Sequence, residues 1–193
     1  MYPVEVFDHN GKTIVIHQDC DEWNDPRDWD NLGVMIHWHP DYLLGDMRLK
    51  DFDAELDYRR PRHEVVARYL RMVHGATVVL PLNLLDHSGL HMWAGGNSTH
   101  WSDPGGWDSG QVGWIFDTPE TRKLIGTPLD LIEECLRDEV KTYDQYLTGD
   151  VYSYTIYDMH EYEQCSHCAD PIDSCGGFFG YDYVMEEAKA MAA

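Results

Sequence analysis

Alternation of apolar and polar residues marks several short strands. Val4 to Phe7 and Thr13 to His17 alternate on either side of Asp8-His9-Asn10-Gly11. An Asn-Gly pair supplies the two positive φ angles of a tight turn, so this segment predicts a hairpin. Gly33 to Trp38 (GVMIHW) reads as a further strand. Thr77 to Leu85 (TVVLPLNLL) reads as another, which Pro81 confines to a sheet edge or a bulge because it has no N–H for the ladder. Gln111 to Phe116 follows a Gly-rich loop, Gly95 to Gly110, as a short strand. Asp150 to Asp158 (DVYSYTIYD) turns Val151, Ser153, Thr155 and Tyr157 one way and Tyr152, Tyr154 and Ile156 the other.

Two stretches change to helical spacing. His63 to His74 carries Val66, Tyr69, Leu70 and Val73 on one face, with Pro61 before it and Gly75 placed to cap its end. Thr127 is placed as an N-cap with Pro128 at the first helical position and Asp130 three residues after the cap. From there Leu129, Ile132, Leu136, Val140, Tyr143 and Leu147 fall three or four apart, and the helix ends before Gly149. Asp19 to Asp30 has little periodicity and reads as an acidic loop, while Asp46 to Asp57 fits no single period. The pattern predicts one α+β domain over residues 1–193: an antiparallel or mixed sheet, two main helices and a Cys-rich C-terminal segment. There is no internal repeat, and no linker breaks the chain.

Charge adds direction to this picture. The 193 residues carry a net charge of −21, with 43% hydrophobic and 12% aromatic content. That is enough apolar material for a sizeable core and too much for a disordered acidic tail. Asp19 to Asp57 holds twelve acids against three bases, and Thr142 to Ala188 holds ten acids with no Lys or Arg. Direct binding to phosphate backbones or anionic membranes is opposed by that balance. A basic partner fits it. No run approaches the roughly 18–20 apolar residues that span a bilayer, and the start, Met1-Tyr2-Pro3-Val4-Glu5, lacks a secretory pattern. The expected location is a cytoplasm, where Cys20, Cys135, Cys165, Cys168 and Cys175 would be reduced.

Three groups of residues offer chemistry. Cys165-Ser-His-Cys168, with Cys175 seven residues on and His160 and His167 close by, has the start of a tetrahedral zinc knuckle. A structural zinc there would pin a Gly- and Asp-rich segment, whereas the plainer readings are reduced loop cysteines or a redox pair. His37-Trp-His39-Pro-Asp41, if extended, shares one face and is similar to the His-x-His-x-Asp core of metallo-β-lactamase-like hydrolases, although Tyr42 stands where a further His belongs and Pro40 disturbs the strand. Asp86-His87-Ser88-Gly89, with His91, His100 and Asp108 downstream, looks like a triad compressed into one turn, and reads more simply as a tight turn with Gly89 at positive φ.

Of seven tryptophans, Trp93, Trp101 and Trp107 bracket the Gly-rich loop, either anchoring it or offering a stacking surface. Trp23 and Trp29 lie within the acidic stretch, and an aromatic anchor ringed by carboxylates suits an Arg- and Lys-rich target. The expected contact residues are therefore Asp19, Asp21, Glu22, Trp23, Asp25, Asp28, Trp29 and Asp30, with Asp158, Glu161 and Glu163 as a second group.

Four blocks of sequence, Asp86-His87-Ser88-Gly89-Leu90, Trp107 to Ile115 (WDSGQVGWI), Tyr143 to Tyr152 (YDQYLTGDVY) and Asp173 to Gly180 (DSCGGFFG), resemble a family of small bacteriophage-encoded proteins over most of the chain after about residue 30. The resemblance implies no activity of its own, and members do not keep the full His-x-His-x-Asp pattern at His37 to Asp41. It implies a phage protein acting in the host bacterial cytoplasm. Together with the charge, it gives the expected function: an acidic binding protein for a basic, nucleic-acid-binding host protein of defence or transcription. In the DNA-mimic form of this idea, carboxylates replace phosphate charges that recur about every 1.7 Å along the duplex. The alternatives are a metal-dependent hydrolase built from His37, His39, Asp86, His87 and Asp108, and a structural or virion-associated protein.

Overall fold

The structure is a computed structural model and describes residues 3–19, 25–53 and 63–193. Strands are β1 Glu5–His9, β2 Lys12–Gln18, β3 Gly33–His37, β4 Met47–Arg48, β5 Val79–Asp86, β6 Leu90–Ala94, β7 Ser109–Asp117, β8 Val151–Asp158 and β9 Pro171–Phe179. Helices are α1 Leu49–Phe52, α2 His63–Val73, α3 Pro119–Ile125, α4 Ile132–Thr148, α5 Met159–Gln164 and α6 Tyr181–Met191. The mixed helix-and-sheet class holds, with six α-helices among the described residues in place of two. The chain divides into two compact units, Met1–Asn24 with Thr148–Ala193, and Asp25–Leu147.

The first unit is a four-stranded antiparallel sheet in the order β1-β2-β8-β9. Its first hairpin turns at Asn10 (φ 51°) and Gly11 (φ 75°), as the Asn-Gly pair requires. Register places Ile14 opposite Ile156 and Ile16 opposite Tyr154, so the Tyr152, Tyr154, Ile156 face of β8 is the core face. Helix α6 covers it with Val184, Ala188 and Ala192, spaced four apart and fully buried. The C-terminal segment assigned to zinc is thus organised by β9 pairing with β8, and by α6.

The Asp25–Leu147 unit is a five-stranded sheet in the order β4-β3-β7-β5-β6, parallel only between β3 and β4. Helix α4 packs on one face through Ile132, Leu136, Val140 and Tyr143 against Met35, Leu82 and Ile115. The other face buries Ile36, Trp114 and Phe116 against Leu49 of α1 and Val66 and Leu70 of α2. Gly75 (φ 64°) ends α2 as expected. Strand β5 is interior to the sheet, so the edge expected from Pro81 is corrected: Pro81 pairs with Trp114 in regular register, and the register shift falls after Leu82, where the extra residue, Val112, is on β7. The Thr127 cap is corrected: Pro128 stays extended at ψ 144°, Leu129–Leu131 form a 3-10 turn, and the α-helix begins at Ile132. Leu129 is accordingly exposed.

Gly33 lies where β3 meets α4. A Cβ there would come within 2.5 Å of Ile115 Cδ1 and 2.7 Å of Leu136 Cδ2, both in the buried core. Gly33→Ala is expected to lower stability by about 1–3 kcal/mol, read as a drop in the urea midpoint; an unchanged midpoint would show that this core accommodates the extra carbon.

Candidate functional site

Many of the acids that give the chain its charge are engaged inside the fold. In the Asp25–Leu147 unit, Asp25 caps a 3-10 turn, Pro26–Asp28, by accepting from the Arg27 amide at 2.8 Å. The Arg27 guanidinium, only 4% exposed, donates to Asp46 through Nε at 2.8 Å and Nη2 at 2.9 Å, to Glu139 at 3.2 Å and to the Gly33 carbonyl at 2.6 Å. Glu139 also accepts from the Leu32 amide at 2.7 Å and the Gly33 amide at 3.0 Å, and Asp46 from the Met35 amide at 2.7 Å. Burial pushes the Glu139 carboxyl above its ordinary range, with those amides and Arg27 acting against it. Burial alone would lower the Arg27 pKa, but its bonds to Asp46, then the charges of Asp46 and Glu139, raise it. Asp53 accepts from the Tyr69 hydroxyl, and fully buried Asp117 accepts from the Thr77 and Val78 amides and pairs with Arg122. In the other unit, Asp19 accepts from the Gly177 amide at 3.0 Å, and Asp158 caps α5 by accepting from the His160 and Glu161 amides at 2.9 and 3.2 Å.

Many other acids, Asp41, Asp51, Glu133, Glu134, Asp170 and Asp182 among them, face solvent, but the expected contact set is narrower than the sequence suggested. Asp28, Trp29 and Asp30 are exposed in the Asp25–Leu147 unit, and Glu161 and Glu163 on α5 in the other. The expected contacts Asp21, Glu22 and Trp23, like Cys20, lie outside the described residues. Trp29, 51% exposed, is presented by Asn31, whose side-chain amide donates to the Pro26 carbonyl at 2.9 Å and the Trp29 carbonyl at 2.8 Å. Beneath it is a mostly apolar pocket of about 300 Å³, lined by Trp29, Asp30, Leu32, Ile125, Cys135 and Asp138 among others.

The zinc set does not gather. Cys165 ends α5, and the following turn, closed by the Cys168 and Ala169 amides donating to the Cys165 carbonyl, brings Cys165 and Cys168 into a disulfide. The Cys-x2-Cys spacing joins two thiols as readily as it offers them to a metal, so the expectation of reduced cysteines also differs here. Cys175 is a free thiol exposed on β9 opposite Tyr154, and His160 and His167 are exposed. Among the described residues no three His, Cys, Asp or Glu side chains stand together as a cation site.

The His-x-His-x-Asp stretch also splits. Strand β3 ends at His37, so Trp38 to Pro40 abandon the alternation that would have aligned the two rings. His37 is 1% exposed, and its Nε2 accepts from the Leu44 amide at 3.3 Å. Burial, then Arg48 and His39, lower its pKa to about 4. His39 instead accepts the Asp41 and Tyr42 amides at its Nδ1, both at 3.3 Å, and stacks on Tyr42.

His39 lines a polar cleft of about 310 Å³ with Asp86, Trp107, Asp108, Ser109 and Gln111. Strand pairing makes this convergence: β5 and β7 run antiparallel with Leu85 opposite Ser109, and the Asp86 amide donates to the Asp108 carbonyl at 2.8 Å. His87 Nδ1 lies 2.8 Å from Asp108 Oδ2. The carboxylate beside His87 is therefore Asp108, from the segment leading into the neighbouring strand β7, and the simpler reading of Asp86 to Gly89 as a tight turn with Gly89 at positive φ holds. Ser88 (φ 59°) and Gly89 (φ 153°) form the turn. A hydrogen bond to Asp86 raises the pKa of the Tyr42 hydroxyl.

One organiser of this cleft escaped the sequence reading. Asp103 accepts from the amides of Trp107 at 3.1 Å, Asp108 at 2.9 Å and Ser109 at 2.8 Å, and from the Ser109 hydroxyl at 2.7 Å. The Ser109 hydroxyl first, and then these amides, hold the Asp103 carboxyl below its usual range. An Asp four to six residues before the amides it collects is the available signal. Trp93 does tie the loop, its Nε1 donating to the Asn97 carbonyl at 3.0 Å, whereas Trp101 and Trp107 are 87% and 90% exposed.

No protein-family model, no curated protein and no solved structure matches this chain.

Proposed function

We propose that this protein is a non-enzymatic binder of a basic protein surface, in a phage setting that of a host nucleic-acid-binding protein, and that it docks through the Trp29 pocket. The observation that carries this reading is a half-exposed indole over a mostly apolar pocket with Asp30 and Asp138 on its wall. A Lys or Arg side chain fits that combination: its aliphatic stem lies in the pocket, its cationic head meets the carboxylates, and the indole face adds a cation–π contact of about 1–2 kcal/mol. Because Asp25, Asp46 and Asp53 are hydrogen-bonded within the fold, a pocket centred on Trp29 serves better than a long row of phosphate-like charges. Among the described residues no helix is long and apolar enough to cross a membrane.

The test is binding of an oligo-arginine peptide, and capture of basic proteins from bacterial lysate, at low and high salt. Trp29→Ala is expected to weaken the peptide about tenfold, and Asp30→Asn with Asp138→Asn to flatten the salt dependence. Retention of nothing basic at low salt, or an unaffected Trp29→Ala variant, would end this reading.

The convergence of His39, Asp86 and Asp108 in one cleft, with His87 bonded to Asp108, favours a second reading as a hydrolase in which Asp108 orients His87 as a general base. His37 takes no part in that cleft. Zinc is read separately, by elemental analysis of reduced protein: stoichiometric metal lost in a Cys165→Ser, Cys168→Ser variant would support the structural site.

A further inference from the structure

Two tryptophans, Trp101 and Trp107, stand almost entirely in solvent on one ordered loop. An indole offers some 150–250 Å² of apolar surface, so leaving one bare in a well-organised segment needs a reason. Trp107 is not loosely held. Asp103 fixes its backbone, and Gly105 makes room for its ring: a Cβ on Gly105 would lie 2.5 Å from both Trp107 Cδ1 and Nε1. The pyrrole edge rests on the Gly105 backbone, and most of the ring remains open beside the polar cleft it lines.

The cleft's chemistry narrows the ligand. Asp86 and Asp108 repel phosphates, nucleotides and acidic peptides, and an apolar ligand would strip water from both carboxylates without replacing its hydrogen bonds. Asp108 is already oriented by His87. Gln111 donates its amide to the Gly113 carbonyl at 3.0 Å, which fixes the direction of its oxygen. Fixed acceptors beside an open aromatic face suit a neutral ligand with several hydroxyl donors and one face of C–H groups. A pyranose ring has both. We infer that the cleft between the end of β5 and the loop preceding β7 binds a neutral glycan, with Trp107 under the sugar's C–H face and Asp86, Asp108, His39 and Gln111 around its hydroxyls. Trp101, on the same loop, is available to a neighbouring sugar. This site shares no residue with the Trp29 pocket and goes beyond that proposal.

The full chain should be titrated with methyl glucoside, galactoside and mannoside and with glucose and N-acetylglucosamine oligosaccharides, at low and high salt, following amide shifts of Gly110 and Gln111 by NMR. Gly110 lines the cleft, and a Cβ there meets no atom within 4 Å, so the backbone has room for a side chain and Gly110→Val narrows the site, with an unchanged urea midpoint checking that the fold is kept. Saturable binding of at least one sugar is expected, insensitive to salt, at least about tenfold weaker in Trp107→Ala and Gly110→Val, and unchanged in Trp29→Ala. Three results would overturn the assignment: no saturable binding by any of these sugars, equal binding in Trp107→Ala and Gly110→Val, or shifts at the cleft produced only by oligo-lysine and abolished by salt. The Trp29→Ala variant separates its failure from failure of the basic-partner reading.

Discussion

Replacing Arg27 with methionine is expected to cost about 3–5 kcal/mol, the loss typical of leaving buried charge without its partner. A domain of this kind is stable by roughly 5–15 kcal/mol in all. Arg27 is 4% exposed and holds two carboxylates and a carbonyl, so its loss leaves Asp46 and Glu139 facing each other with 22% and 18% exposure and no cation. Both carboxylates would keep their backbone amides, from Met35 and from Leu32 and Gly33, and these cannot neutralise two charges. Urea unfolding followed by tryptophan fluorescence gives the loss directly. Adding Asp46→Asn and Glu139→Gln to Arg27→Met should restore much of it, because neutral amides still accept from the same backbone donors and no charge remains unpaired. A loss below about 1 kcal/mol for Arg27→Met would place the network with solvent-screened surface pairs.

Acid is expected to destabilise the protein through His37. The folded-state pKa is about 4, against 6.5 for the unfolded side chain. Above pH 6.5 the ring is neutral in both states, and its contribution is fully present. Between 6.5 and about 4 the unfolded chain takes up a proton that the folded chain refuses, so stability falls as pH falls, by roughly 3 kcal/mol over the whole window. Geometry gives the same sign, since Nε2 accepts from the Leu44 amide, and a proton there would set donor against donor. Glu139 works in the opposite sense: its raised pKa stabilises the fold most below the ordinary glutamate range, and that contribution is lost as pH rises. The measurement is therefore the difference between the stability–pH curves of the parent and His37→Gln. A flatter curve for the variant between pH 6.5 and 4 is expected, and superimposable curves would remove His37 as the cause.

Local pattern carried far where one element decides its own conformation. The Asn10-Gly11 hairpin, the faces of β8 and the Gly75 cap of α2 were legible because each depends on residues within a few positions. Helix α6 was not, because the face it buries is Val184 followed by two alanines, too weakly apolar to register as a stripe. The start of α4 misled because Thr127-Pro128 has the composition of a cap, while Pro128 keeps an extended backbone.

The division into units had no sequence signal for a different reason. The sheet of the first unit joins Lys12–Gln18 to Val151–Asp158, and pairing across such a separation leaves no linker and no shift in composition to read. Only tertiary pairing set Asp108 beside His87, separated His39 from His37, and showed that Trp107 is bare while Trp114 is core. The sequence by itself determined the charge, the class of its main elements and their local turns, since these follow from residue type and short spacing. Which carboxylates face a partner, and which hold an arginine or a cluster of amides inside, was decided by the tertiary structure, because burial and hydrogen bonding depend on residues that meet only after the strands have paired.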